Sequence, residues 1–452
     1  MLNDRQQSRE QVLEAIRSSL EIKQFNNAVE AFKILHPGDQ VEIFELLDAD
    51  KKAELLSRLD ISSTAILFNT QEDDETLQAA ESLTIDRLAD VLDEMEPDEA
   101  ADLLGDLPAD QAAKALEKME DTEDVLELLK YPDETAGGRM TTDFISLSIN
   151  ATTTEAIETL RRIEPDHEAP YYIFVTDNEK LVGILGLREL VVSSPDTKIG
   201  ELFDPEVFHV NDWMDQEEVA QTMATYDLAA VPVVDDAHHL VGVITHDDVL
   251  DVLQEEATED IYRLASVSDT DLEPDSPIIE QLKGRLPWLF LNTLTALFAS
   301  WIISNFEGII AQVAVLAVFQ SVVAGQGGNA ASQGVAIFVR TMALGNIPPG
   351  KTLYLLTRQM IVGLIQGLVV GFVVGLGVYL WKGNIYLGIV LGLALVANMV
   401  LAGIVSTLIP MGLKSIGQDP ALASSVLVTA VTDSLGFLIF LSLANLFLGN
   451  LI

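Results

Sequence analysis

The 452-residue sequence contains no cysteine. Disulfides, thiolate metal centres and cysteine nucleophiles are therefore excluded together. Basic residues are scarce as well, with 26 Lys and Arg against 70 Asp and Glu and a net charge of −44. General affinity for nucleic acid or anionic headgroups needs clustered Lys and Arg, so no nucleic-acid partner is expected. The first ten residues, MLNDRQQSRE, lack the apolar stretch of a secretory leader. The expectation is an uncleaved amino terminus that stays in the cytoplasm.

What is present is unevenly placed. Residues 1–286 hold 67 acidic against 21 basic residues, a net of −46. Residues 287–452 hold Glu307, Asp419 and Asp433 against five bases, a net of +2. A strongly acidic soluble half thus precedes an apolar membrane half. Such acidity is either a solvated surface or one whose self-repulsion is relieved by bound cations.

Five apolar stretches follow Arg285, at 287–304, 309–338, 353–380, 385–409 and 422–449. Each supplies the roughly 20 apolar residues that cross a bilayer. With the soluble half inside, Lys283, Arg285, Arg340, Lys351, Arg358 and Lys414 fall on cytoplasmic flanks, and Lys382 falls outside. That asymmetry obeys the positive-inside rule and supports the count of five; the expected location is the bacterial inner membrane. Gly363, Gly367, Gly371 and Gly375 recur every four residues, a spacing that lets helices approach closely.

Polar residues within these stretches carry more information. AGQGGNAASQG at 324–334 places Asn329, Ser332 and Gln333 in an apolar run with consecutive glycines, which suggests irregular backbone lining a watery cavity. Asp433 lies about twelve residues into the last stretch, where an aspartate costs ~2.5–3.5 kcal/mol even on the insertion scale. No basic residue lies at similar depth, so an ion or proton pathway is the leading reading. Thr429 shares its helical face, and Thr432 is its neighbour. Asp419-Pro420 reads as an ordinary helix start, with a second role as a cation ligand left open.

The soluble half has two parts. Residues 1–135 read as short amphipathic helices, several opened by Pro or Asp, in a helical superhelix. Residues 136–200 and 201–258 form an internal repeat in which a helix, a strand, an Asp-containing turn, a strand beginning at Val-Gly and a second helix recur. The repeats resemble a tandem pair of α/β CBS domains, which often bind adenine nucleotides. Arg188 and Asp248 match positions that contact nucleotide in such modules, so ATP is a candidate modulator. Glu189 stands where the first repeat would often have Asp.

Next comes an acidic connecting segment, expected as a helix continuing to residue 285. Asp248, Asp251, Glu255 and Glu259 stack at spacings of three and four, with Glu256 and Asp260 adjacent. Like charges at that spacing destabilise a helix, and the stripe reads as one without basic partners. Carboxylates so arranged suit hard cations that keep part of their water.

The order helical superhelix, CBS pair, connecting segment 259–285 and membrane domain 286–452 resembles the MgtE family of magnesium channels. Gly327-Gly328-Asn329 with Gln333, the ATEDI run at 257–261, and Asp419-Pro420-Ala421-Leu422 followed by Thr432-Asp433 carry the resemblance. It implies a homodimer with a pore on its two-fold axis, where Asp433 holds a hydrated ion and Asn329, Thr429 and Gln333 stand nearby. It also implies regulatory Mg²⁺ bound with the help of Asp215, Glu217, Asp227, Asp248, Asp251, Glu256, Glu259 and Asp260, closing the pore when cytosolic Mg²⁺ is high. The chain departs from the family pattern at Ser321, Ala331-Ser332, Arg358-Gln359 and Ser425-Val426, all near the pore. A proton- or Na⁺-coupled metal transporter and a non-transporting sensor are the rival readings. No Ser-His-Asp set, Walker motif or His cluster marks an enzyme, and His238-His239 reads as a surface turn.

Overall fold

Proline before an amphipathic stretch sets the first turn of several helices, as Pro37 and Pro97 do at the first positions of Pro37–Glu45 and Pro97–Asp106. The computed structural model describes residues 2–71, 73–162, 172–268, 272, 274, 276–343, 350–422 and 425–451. They divide into two compact units, Met1–Val252 and Leu253–Ile452.

The first unit begins with ten short helices, α1–α10, between Leu2 and Leu128. Alternate members pack together: Pro37–Glu45 on Ile61–Thr70, that helix on Ile85–Leu92, and the last on Ala109–Leu116. Each helix buries one apolar stripe against its neighbours, with Phe32, Phe44 and Phe68 almost wholly enclosed. The amino-terminal part is thus helical, as expected from sequence.

Two three-stranded sheets follow. In the first, β1 (Ser146–Ser148) lies parallel to β2 (Ile173–Asp177), which pairs antiparallel with β3 (Lys180–Leu185). In the second, β4 (Val210–Asn211), β5 (Ala230–Val234) and β6 (Leu240–Thr245) repeat that order and pairing. Helix α11 (Thr153–Leu160) connects β1 to β2, and α13 (Gln216–Tyr226) connects β4 to β5. Helix α12 (Leu187–Val192) follows β3, and α14 (His246–Leu264) follows β6. Asn178 and Glu179 both adopt positive φ, +50° and +67°, the left-handed pair that a two-residue hairpin of this twist requires. The two hairpins meet tip to tip, with Leu181 N–H donating to His238 O and Leu240 N–H donating to Glu179 O. Phe174, Leu181, Val234 and Val243 form the shared core behind that seam.

The second unit is helical. After α14 come α15 (Ile278–Ser304), α16 (Glu307–Gln312), α17 (Val315–Ala343), α18 (Thr352–Lys382), α19 (Ile385–Ser415), α20 (Ser425–Leu446) and α21 (Leu448–Leu451). Five of these are long. Four described helices, α15, α18, α19 and α20, are both long and apolar enough to cross a membrane. The exception is α17, whose 29 residues reach about 43 Å at 1.5 Å each but include the polar run 324–334.

Three expectations are corrected. The connecting helix does not continue to residue 285: α14 ends at Leu264, Ser266 turns left-handed at φ +62°, and α15 opens only after Pro277. The glycine-containing run of α17 is not irregular but lies inside one unbroken helix. In hydrocarbon the helix satisfies its own N–H and C=O groups, which outweighs the weak helix preference of glycine. Helix α20 opens at Ser425, which places Asp433 a little over two turns in and nearer the helix start than expected.

Helices α18 and α19 approach until their backbones nearly touch. A Cβ at Gly371 would stand 2.7 Å from Gly392 O, so glycine is required at that crossing.

Candidate ion-conduction site and acidic collar

The membrane unit places the residues expected at the pore on two helices. On α17, Gly327 and Gly328 are buried, while Asn329 and Gln333, one turn apart, are exposed on one face. On α20, Thr429 and Asp433 are half-buried and share a face. The helices meet where a Cβ at Gly328 would lie 3.5 Å from the Thr429 methyl group. Asp433 Oδ1 is buried and has no hydrogen-bond partner among the described residues. Thr432 is fully buried and returns its hydroxyl to Val428 O at 3.1 Å, so it serves its own helix.

At the start of the last span, Asp419 caps the turn Pro420–Leu422 by accepting from Ala421 N–H at 2.7 Å. Its other oxygen accepts from Arg263 Nη1, and Arg263 also pairs with Glu259 one turn back on α14. The acidic stripe therefore does have a basic partner, contrary to the sequence reading. The pairing with Glu259 was readable at i, i+4 spacing, whereas the link to Asp419, 156 residues away, was not.

Beside this pair sits Asp260. Burial, then the charges of Asp419 and Glu256, push its pKa up to about 6, against the opposing pull of Arg340. Carboxylates are therefore crowded around Asp260. Among the described residues no group of three or more His, Asp or Glu stands close enough to hold a metal ion by itself. One or two carboxylates with retained water remain a donor set suited to Mg²⁺.

The residues singled out in the first unit have other local duties. Asp215 caps α13 by accepting from Glu217 N–H at 2.9 Å. Asp227 ends that helix in the left-handed conformation at φ +54°. Asp248 is largely buried, which raises its pKa, and accepts from Thr245 N–H and Oγ–H at 3.0 and 2.8 Å. Asp251 is exposed on α14, and Arg188 is exposed on α12. His239 bonds Asp235 at 2.9 Å and His238 sits at φ +69°, a turn as expected.

One polar residue escaped the sequence reading. Asn398, in the middle of α19, is fully buried and donates from Nδ2 to Val323 O at 2.9 Å. A lone asparagine in a 31-residue apolar helix is itself a signal that could have found it.

Comparison with known proteins settles the kinship. The chain is 36 % identical over 330 residues to "Magnesium transporter MgtE" of Enterococcus faecalis, covering 73 % of this chain and 72 % of that one. It is 38 % identical over 328 residues to the protein of the same name from Thermus thermophilus, covering 72 % of each.

The chain belongs to the MgtE family.

The MgtE profile, described as a divalent cation transporter, matches residues 320–443, which include most of α17, Asp419 and Asp433. The MgtE intracellular N domain matches 35–134, and CBS domains match 136–196 and 199–255. Among solved structures, the soluble part of a magnesium transporter is similar at 37 % identity and a TM-score of 0.51, covering 55 % of this chain and 99 % of that one. The cytosolic domain of the Mg²⁺ channel MgtE in complex with ATP is similar at 32 % identity and a TM-score of 0.50, covering 53 % and 99 %. The MgtE resemblance read from the sequence is thus borne out along most of the chain.

Proposed function

We propose that this protein is a Mg²⁺-preferring divalent-cation channel of the cytoplasmic membrane, working as a homodimer and closed by cytosolic Mg²⁺. The observation that carries the reading is Asp433: a carboxylate inside an apolar helix, with one oxygen buried and unpartnered among the described residues. Such a group is expensive in a membrane unless an ion or water meets it. Mg²⁺ is the matching cargo because it sheds water reluctantly and is held through one or two carboxylates.

Asn329 and Gln333 lie on a face of α17 that is exposed in the single chain. A second copy would bring two such faces and two Asp433 carboxylates around one axis. Import follows from an inside-negative potential, worth about 2.3 kcal/mol per charge per 100 mV.

Closure is assigned to the collar. Arg263 already sits between Glu259 and Asp419 as an internal cation, while Asp260 stands against the negative charges of Asp419 and Glu256. Mg²⁺ binding there would favour the arrangement that brings the carboxylates together, and so shift the population toward it. Asp215, Glu217, Asp227, Asp248 and Asp251 are proposed as further regulatory ligands. Arg188 and Asp248 are proposed as contacts for ATP, a modulator for which the ATP complex of a similar cytosolic domain gives support.

The test is Mg²⁺ flux into proteoliposomes with proton and Na⁺ gradients collapsed by ionophores, at low and high Mg²⁺ on the cytosolic face. Flux that persists without either gradient and falls at high cytosolic Mg²⁺ is expected. A requirement for either gradient would replace the channel with a coupled transporter.

A further inference from the structure

In the middle of the membrane unit, the Asn398 amide is wedged between glycines of two other helices. A Cβ at Gly327 on α17 would stand 2.1 Å from Asn398 Nδ2. One at Gly436 on α20 would stand 2.8 Å from Nδ2 and 3.0 Å from Oδ1. Both positions must therefore remain glycine while the amide is present. The bond from Nδ2 to Val323 O fixes which end faces α17.

That bond leaves Oδ1 buried with no hydrogen-bond partner among the described residues. A leucine of the same branched shape would carry no such unpaired oxygen, and burying a polar atom unmet is unfavourable. Packing alone therefore does not account for asparagine at this place. The donor end does: it ties α19 to the backbone of α17 where the glycines have removed every intervening side chain. Lower on the same helices the pattern recurs, with a Cβ at Gly334 standing 2.4 Å from Ser406 Oγ. Ser406 is also fully buried.

The place of this wedge gives it a function. Asn329 follows Gly327 by two residues on α17, and Asp433 precedes Gly436 by one turn on α20. The amide thus stands between the two helices that carry the proposed pore residues, beside their direct contact at Gly328 and Thr429. We infer that Asn398 is a specificity-determining positioning residue, which holds α17 and α20 at the spacing that admits hydrated Mg²⁺ at Asp433. The inference rests on the pore reading given above. A small displacement at a site of this kind has a large effect on function.

The experiment records Mg²⁺ and Na⁺ permeability of the full-length protein in planar bilayers, together with a melting curve for each variant. Asn398→Leu fills the space without a donor, and Asn398→Ala empties it. Asn398→Ser is too short to reach Val323 O and stands with Ala. The Mg²⁺/Na⁺ ratio is expected to fall about tenfold in all three variants. A ratio unchanged in any of the three that folds overturns the proposal. If neither Leu nor Ala folds, Asn398 belongs to packing alone and the proposal likewise fails. Asp433→Ala is measured beside them: undiminished Mg²⁺ current in that variant brings down the pore reading itself, and the positioning role with it.

Discussion

Arg263, in the last turn of α14, donates from Nη1 to Oδ2 of Asp419, 156 residues further along the chain. It also pairs with Glu259 on its own helix. A single guanidinium therefore neutralises one carboxylate of the acidic stripe and one at the start of the last span. Its planar fork suits two carboxylates better than a lysine would.

Arg263→Gln keeps the length and removes the charge, leaving the collar one unit more negative. Mg²⁺ should then bind more tightly there, and the concentration that half-closes the channel should fall. The pair is partly exposed, so the expected change is modest, about two- to fivefold. A Mg²⁺ titration of single-channel open probability reads it. An unchanged or raised threshold would separate Arg263 from gating.

Asp260 makes a prediction about pH. Its folded value of about 6 lies above that of an ordinary aspartate, so between roughly pH 4 and 6 the folded protein binds more protons than the unfolded chain. Stability in Mg²⁺-free buffer should therefore fall as pH rises through that window and level off above it. Melting midpoints at pH 5 and pH 7.5 in chelator give the difference. Asp260→Asn should melt with a smaller difference than wild type, and an equal one would remove Asp260 as the cause.

Asp248 is tied to the first turn of α14 by two hydrogen bonds from Thr245. Asp248→Ala should cost about 1–2 kcal/mol, as the loss of a helix cap does. Hydrogen exchange of the amides at 246–249 should quicken. Exchange at the wild-type rate would mean that the carboxylate does not hold the helix start.

The α18–α19 crossing admits no side chain at Gly371. Gly371→Val should destabilise the membrane unit by about 1–3 kcal/mol through overpacking. A thermal melt of the full-length protein in detergent checks this. Gly377, which has open space where its Cβ would stand, is the control expected to tolerate alanine.

How much was legible in the sequence depended on how local the signal was. The CBS repeat could be read because strand, turn and Val-Gly strand recur within sixty residues, and the hairpin turn follows from Asn178-Glu179. Asp433 stood out because one charge in an apolar run has no neighbour to excuse it. Asn398 did not, because the glycines that give it meaning lie on two other helices. Of the two partners of Arg263, Glu259 was readable at i, i+4 spacing, while Asp419 was not because it is far away in the chain. The polar run of α17 read as broken helix from composition, while the folded unit keeps it helical through packing on α19 and α20. The end of α14 was missed because residues 265–276 are as polar as the helix before them, and Pro277 marks only the next start.

The central claim is a cation path through Asp433. Its most direct test is Mg²⁺-dye uptake into proteoliposomes under an inward gradient, comparing wild type with Asp433→Ala at low cytosolic-side Mg²⁺. Uptake in wild type that disappears in Asp433→Ala, with oligomeric state and melting midpoint unchanged, is the expected result. Equal uptake in the two proteins would contradict the account.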